Sequence, residues 1–253
     1  MFKKLVRKLS FLAVFLLILA LIVAGPMAQA NYLISAVSQS VRLVPIYEVD
    51  SPASELAISF DASWGAENTL KILDILDKHD VKATFFLVNI WLEDYPDMAK
   101  EIAKRGHEIG LHSVTHPHFT SLSHEQMEKE LKDNYNAIKE ITGYEAKLFR
   151  PPFGDYDNRV IEKAASLGFQ PIQWSVDSLD WKDLSAAEIE ARVMKDIGPG
   201  DIVLFHNNGL HTAEALEPII QQLSDRGISL VTISDLLLEG DWYIDFNGVQ
   251  RCK

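Results

Sequence analysis

Two histidines four positions apart, His112 and His116 in the stretch Gly110-Leu111-His112-Ser113-Val114-Thr115-His116, are the side chains of this sequence best suited to hold a metal. Imidazole nitrogen is an accepted ligand for borderline cations such as zinc. The run before them, Glu108-Ile109-Gly110-Leu111, is short and interrupted by glycine, so it reads as a strand rather than a buried helix. The pair then falls where a strand gives way to a turn. Paired histidines that only satisfy local hydrogen bonds are common, and this pair gains weight from its company. Polar residues recur at the ends of the other apolar runs: Asp61, Arg150, Asp177, Asp180 and His206. Singly, Asp61 reads as a helix cap, Asp180 as a turn residue and His206 as a core histidine. Their recurrence points instead to one shared site.

The elements that must position these residues alternate regularly from Glu55 onward. Leu56 to Asp61 reads as a strand and is followed by a helix through Leu70, Ile72, Leu73 and Leu76. Ala83 to Val88 reads as a buried strand, and a helix opens at Tyr95-Pro96, with proline in its first turn. Beyond the histidine strand, Ser123-His124-Glu125-Gln126 is a capping box for a helix that Gly143 stops. Lys147 to Arg150 is a strand, Asn158 to Leu167 a helix, and Gln170 to Val176 a strand. Ser185 to Glu188 caps a helix to about Ile197; then follow strand Asp201 to Phe205, helix Ala213 to Arg226, strand Ser229 to Ile233 and a short helix closing at Gly240. About seven β-then-α units imply a parallel sheet with helices outside. The absence of a Gly-x-Gly-x-x-Gly or Walker pattern tells against nucleotide folds. The fold expected is an α/β irregular (β/α) barrel of about seven parallel strands, in which strand C-termini share one face.

The formal charge of −12 excludes nucleic acid as a natural partner, because phosphate binding needs a basic face. It leaves a neutral or locally cationic substrate acceptable. Lys3, Lys4, Arg7 and Lys8 precede an apolar run from Phe11 to Gly25, and Ala28-Gln29-Ala30 offers a cleavage pattern. Residues 1–30 therefore read as a signal peptide, or as a membrane anchor through 9–30 if uncleaved, and the body as exported to the cell envelope or beyond. Residues 31–54 read as a linker, 55–240 as the functional domain, and 241–253 as a tail whose Trp242, Tyr243 and Phe246 could make a partly ordered cap. Cys252 is the single cysteine, so no intrachain disulfide is available. The chain is expected to be a monomer.

Five short motifs, in order, carry a resemblance to the polysaccharide deacetylases of the NodB-homology type, carbohydrate esterase family 4. They are Ser59-Phe60-Asp61, His112-Ser113-Val114-Thr115-His116, Arg150-Pro151-Pro152-Phe153-Gly154, Asp177-Ser178-Leu179-Asp180-Trp181 and Leu204-Phe205-His206. The resemblance spans roughly Leu56 to Leu238 and implies a distorted (β/α) barrel. It implies that His112 and His116 hold a divalent metal, usually zinc, with cobalt or another possible, and that Asp61 is the general base oriented by Arg150. It further implies that His206 is the general acid oriented by Asp180, that the Phe153 N–H faces the oxyanion, and that Trp181 walls the sugar subsite. Trp64 is the remaining tryptophan nearest the site. Such a set suits amide hydrolysis, which needs a polarised carbonyl, donors for the tetrahedral anion and a protonated leaving amine.

The resemblance breaks at one position. The family's first motif has a second aspartate as third metal ligand, and here that position is Ala62, followed by Ser63-Trp64-Gly65. Asp61 itself, Glu67, His118 or water could make up the set. The first motif is similar to that of a sporulation-associated subgroup with Asp-Ala-Ser-Trp-Gly. His118 and His211 match no family position and read as loop residues. The expected function is an exported, metal-dependent N-deacetylase of amino-sugar polymers, peptidoglycan or chitin-like. The alternatives are a degenerate glycan-binding protein and an O-acetyl esterase.

Overall fold

Alternation along one strand divides the interior in two. In Glu55–Ala62, residues Leu56, Ile58, Phe60 and Ala62 enter the apolar layer under the helices, whereas Ala57 enters a second cluster with Phe86, Leu148 and Ile202. Ser59 and Asp61 share the face of Ala57, so polar groups replace apolar ones as the strand approaches its C-terminal end.

The structure is a computed structural model that describes residues 42–253. Its strands are β1 (Glu48–Val49), β2 (Glu55–Ala62), β3 (Thr84–Leu87), β4 (Glu108–Leu111), β5 (Leu148–Phe149), β6 (Gln170–Pro171), β7 (Val176–Asp177), β8 (Ile202–His206), β9 (Ser229–Val231), β10 (Trp242–Ile244) and β11 (Val249–Cys252). The main sheet has the order β6-β5-β4-β3-β2-β8-β7, with β9 beside the start of β2, and every pairing in it is parallel. β6 and β7 do not pair with each other, so the seven-strand path is an open half-barrel, the irregular barrel expected from the sequence. The principal helices are α1 (Thr69–Lys78), α2 (Asn89–Asp94), α3 (Pro96–Lys104), α4 (His124–Thr142), α5 (Asn158–Ser166), α6 (Ala186–Met194), α7 (Thr212–Asp225) and α8 (Ile233–Leu236). Both expected capping boxes form, Ser123 with Gln126 and Ser185 with Glu188, and Gly143 ends α4 in the left-handed conformation.

Several expectations are corrected. The strand read from Gln170 to Val176 is two, β6 and β7, because the chain leaves the sheet between them: Ile172 bridges Ile46, and Trp174 turns into the cleft described below. α2 was not expected, and α6 stops at Met194 instead of near Ile197. The linker expected over 31–54 is, from Leu43 on, part of the body. Ile46 and Val49 are buried, and Gln173 N donates to the Ile46 carbonyl at 2.7 Å. β1 pairs with β11, and β10 completes a small sheet of order β1-β11-β10, so the expected tail is folded as well. These residues lack a clear period because they bridge two sheets instead of lying on one face. The signal peptide or anchor over 1–30 lies outside the described residues. Among the described residues no helix is long and apolar enough to cross a membrane.

One contact shows how tightly the β1 segment is docked. Gly200 has φ +91°, and a Cβ there would stand 1.9 Å from the Val49 carbonyl oxygen, which accepts no such approach. Gly200→Ala should destabilise the fold by about 3 kcal/mol or more, through strain and loss of this seat. Urea unfolding reads it as a lower midpoint at unchanged slope; an unshifted midpoint would mean that the segment gives way freely.

Candidate active site

A fully buried arginine organises the site. Arg150 follows β5 directly, and its guanidinium donates to Asp61 Oδ1 at 2.8 Å, Ser59 Oγ at 2.9 Å and the Gln173 carbonyl at 3.0 Å. Its plane lies over the Phe86 ring, 4.1 Å from the centroid. Asp61 is at the end of β2, registered against Phe86 on one side and His206 on the other. Burial alone would raise the Asp61 pKa, but the charge and hydrogen bond of Arg150, with the neighbouring imidazoles, outweigh it and hold the carboxyl below its ordinary value.

His112 and His116 occupy the loop after β4. The His112 Nδ1 lies 2.7 Å from the Arg150 carbonyl oxygen, so Nδ1–H donates and Nε2 presents its lone pair towards Asp61 Oδ2, 3.4 Å away. Burial lowers the pKa of both histidines, that of His116 to about 4, so both are neutral near pH 7. The 3.4 Å approach is therefore not an ion pair, and it sets two acceptors, Nε2 and Oδ2, side by side. The loop is held by two residues that the sequence reading missed. Asn134 Oδ1 accepts from the His112 and Ser113 amides, and Glu130 accepts from the Val114 and Thr115 amides. Both lie on α4, and Asn134 stands in the buried stripe of Met127, Leu131 and Ile138. A polar residue at a core position of the helical period was the available signal.

Across the site, His206 ends β8. Its Nδ1 lies 2.8 Å from Asp180 Oδ1, while Asp180 Oδ2 accepts from the His206 amide at 2.8 Å and from Thr212 Oγ1 at 2.6 Å. Burial would lower the His206 pKa, yet the hydrogen bond and charge of Asp180, with Asp61 and Asp177 behind them, raise it above the ordinary value. The two sides thus hold an ionised carboxylate and an imidazole biased towards its charged form.

The structure brings all nine residues expected at the site into one place. Asp61, His112, His116, Trp64, Phe153, Trp181 and His206 line one cleft of about 400 Å³, with Arg150 and Asp180 buried directly behind. Trp174, Asp177, Leu204, Ser63 and Asn208 complete the lining. Trp64, Phe153 and Trp181 are more than half exposed, so aromatic rings rim the opening. Among the described residues, four of the six non-glycine residues with positive φ, Ser113, His116, Phe153 and Leu179, belong to these loops. Strain of that kind gathers where a structure fixes functional groups.

A divalent metal fits this set in donor type and not in number. The two neutral imidazoles suit zinc, and His112 has the oriented second nitrogen that metal-ligating histidines show. No group of three His, Cys, Asp or Glu side chains suited to a metal occurs among the described residues. Ala62 is buried in the helix-side core, Glu67 is exposed against Gly65, and the His118 Nδ1 is turned to Asp155 at 3.5 Å. The donors present do not complete the three-ligand centre expected of catalytic zinc.

Comparison with known proteins agrees with the geometry. The polysaccharide deacetylase family model matches residues 48–172. A peptidoglycan-N-acetylglucosamine deacetylase of Bacillus cereus is 36% identical over 187 residues, covering 72% of this chain and 68% of the relative. The crystal structure of BA3943, a CE4 family pseudoenzyme from Bacillus anthracis, superposes with TM-score 0.74 at 35% identity, over 76% of this chain and 68% of that one. A BA3943 mutant with restored enzymatic activity matches equally well, with TM-score 0.74 and 36% identity over 76% of this chain and 71% of that one.

The His206–Asp180 pair gives a measurable pH signature. A raised imidazole pKa stabilises the fold fully below the unfolded value of about 6.5, and that stabilisation fades as pH rises through the folded value. An NMR titration should find His206 protonating above the ordinary imidazole range, and Asp180→Asn should bring its midpoint down. An unmoved midpoint in the variant would deny Asp180 this influence.

Proposed function

This chain belongs to the polysaccharide deacetylase family, hydrolases of carbon–nitrogen bonds, and we propose that it removes N-acetyl groups from the amino sugars of peptidoglycan. The observation that carries the reading is the pair of opposed dyads in one aromatic-rimmed cleft. Asp61 backed by Arg150 stands on one side and His206 backed by Asp180 on the other. The named relatives include deacetylases of peptidoglycan N-acetylglucosamine and N-acetylmuramic acid, which supports the substrate class. Such a substrate lies in the cell envelope, and the basic start and apolar run of the N-terminus support export.

In this mechanism Asp61, kept ionised by Arg150, accepts a proton from the attacking water. The new C–O bond makes the acetyl carbon tetrahedral, and the backbone N–H of Phe153 donates to its oxygen. His206 then gives its proton to the amide nitrogen as the C–N bond breaks, releasing acetate and leaving a free amine on the sugar; Asp180 holds the ring and favours its charged form. Trp64 and Trp181 wall the sugar. His112 and His116 would hold a divalent metal, zinc or cobalt. When bound there it would supply a Lewis acid for the acetyl carbonyl and lower the pKa of water.

Ala62 and the likeness to a pseudoenzyme favour a second reading, a protein that binds glycan without hydrolysing it. Mass spectrometry of muropeptides and N-acetylglucosamine oligomers, incubated with the full-length chain with and without zinc or a chelator, separates the two. Deacetylation that the chelator abolishes is expected. Asp61→Asn or His206→Ala should lower its rate by about 10²–10⁴. Saturable glycan binding without loss of acetyl groups in any metal would establish the second reading. Acetyl loss only from O-acetylated glycans would instead identify an esterase.

A further inference from the structure

Beside the cleft lies a second histidine–carboxylate arrangement to which the mechanism gives no role. His118 stacks on Phe153, with ring centroids 4.4 Å and planes 20° apart. Its Nδ1 is 3.5 Å from Asp155 Oδ2. Asp155 is itself fixed, accepting from the Thr120 amide at 3.0 Å and from Thr120 Oγ1 at 2.8 Å. This carboxylate therefore ties the loop after the histidine pair to the turn that carries Phe153.

Phe153 also meets His116 edge-on, with centroids 4.5 Å apart, and His116 meets Trp64 at 5.0 Å. The rings of Trp64, His116, Phe153 and His118 thus form one continuous band. The first three line the cavity, and His118 continues the band beyond it. The His118 side chain is 64% exposed although it is held in a fixed stack, and Phe153 is exposed as well despite a left-handed φ of 61°. Exposed rings pinned in register in this way have no role in the core.

We propose that His118 and Phe153 form a stacking platform for the sugar next to the one being deacetylated, which rests on the glycan reading above. A polymer runs on past the sugar whose acetyl group lies between the dyads, and the band of rings continues from the cavity lining in a direction open to its next unit. A pyranose presents an apolar C–H face and a rim of hydroxyls. The flat stack covers the face, and because Nδ1 is turned to Asp155, the opposite nitrogen Nε2 is left to bond a hydroxyl. His118 is in these terms a substrate-binding residue for chain length, outside the reacting centre.

The test is calorimetric or NMR-detected binding of N-acetylglucosamine oligomers of increasing length to the full-length chain, made on a time scale too short for turnover or with Asp61→Asn as background. Affinity should rise with length. His118→Ala should weaken binding of the longer oligomers about five- to tenfold and leave the monomer unchanged. His118→Phe, which keeps the stack, should recover most of the loss, and melting curves should show both variants folded. Length-dependent affinity that His118→Ala leaves intact would overturn the platform alone. No binding of any oligomer by the unsubstituted chain would overturn the glycan reading and the platform together.

Discussion

The guanidinium of Arg150 is the group on which the rest of the site depends. A buried cation is tolerated only where its charge is met, and here Asp61, Ser59 and the Gln173 carbonyl satisfy its two terminal nitrogens, while Nε has no hydrogen-bond partner. Ser59 and Asp61 belong to β2 and Gln173 follows β6, so the buried guanidinium fixes the relation of β2, β5 and the stretch after β6. The support extends downward. Phe86 floors the guanidinium, and it can lie there only because β4 carries Gly110, where a Cβ would fall 2.4 Å from the Phe86 ring. Removing either charge would strand the other in a dry interior, which is far more costly than never having had the pair.

From that anchor the electrostatics of the cleft follow. Arg150 holds Asp61 ionised with its side chain and fixes the His112 tautomer with its carbonyl. The histidine pair is neutral because burial dominates there, whereas His206, which burial also pulls down, shifts the opposite way because Asp180 binds it directly. Three imidazoles in one cleft therefore differ in charge by virtue of their partners and not of their exposure.

Much of this was legible in the sequence. Strand ends mark the site because in a parallel sheet every C-terminal end opens on the same side, so Asp61, His112, Arg150, Asp180 and His206 could be assembled from spacing before any geometry was known. Ser59 belongs to the first motif, but nothing in its identity says that it holds a guanidinium 91 positions on. The partners of Glu130 are mainly backbone amides, which carry no sequence signal, and Asn134 shows only its polar character in an otherwise apolar stripe. The segment after Leu43 carries no such signal for a related reason: its burial is created by β11 and by Gly200, both about 150 or more positions away, and not by a local period.

The loss at Ala62 bears on binding and catalysis unequally. A surface that only grips a glycan needs aromatic faces and a few hydroxyl partners, which Trp64, Trp181 and Phe153 supply at the rim. It does not need a fully buried Arg–Asp pair, an aspartate that spends both oxygens on one histidine and its threonine neighbour, or four left-handed side-chain-bearing residues around the opening. Those features are unfavourable in themselves and are held in place by packing and hydrogen bonds that do nothing for an exposed sugar. What they do supply is a carboxylate fixed in its ionised form opposite an imidazole biased towards protonation. The organisation of the cleft is thus suited to moving protons, and alanine at position 62 leaves both dyads intact.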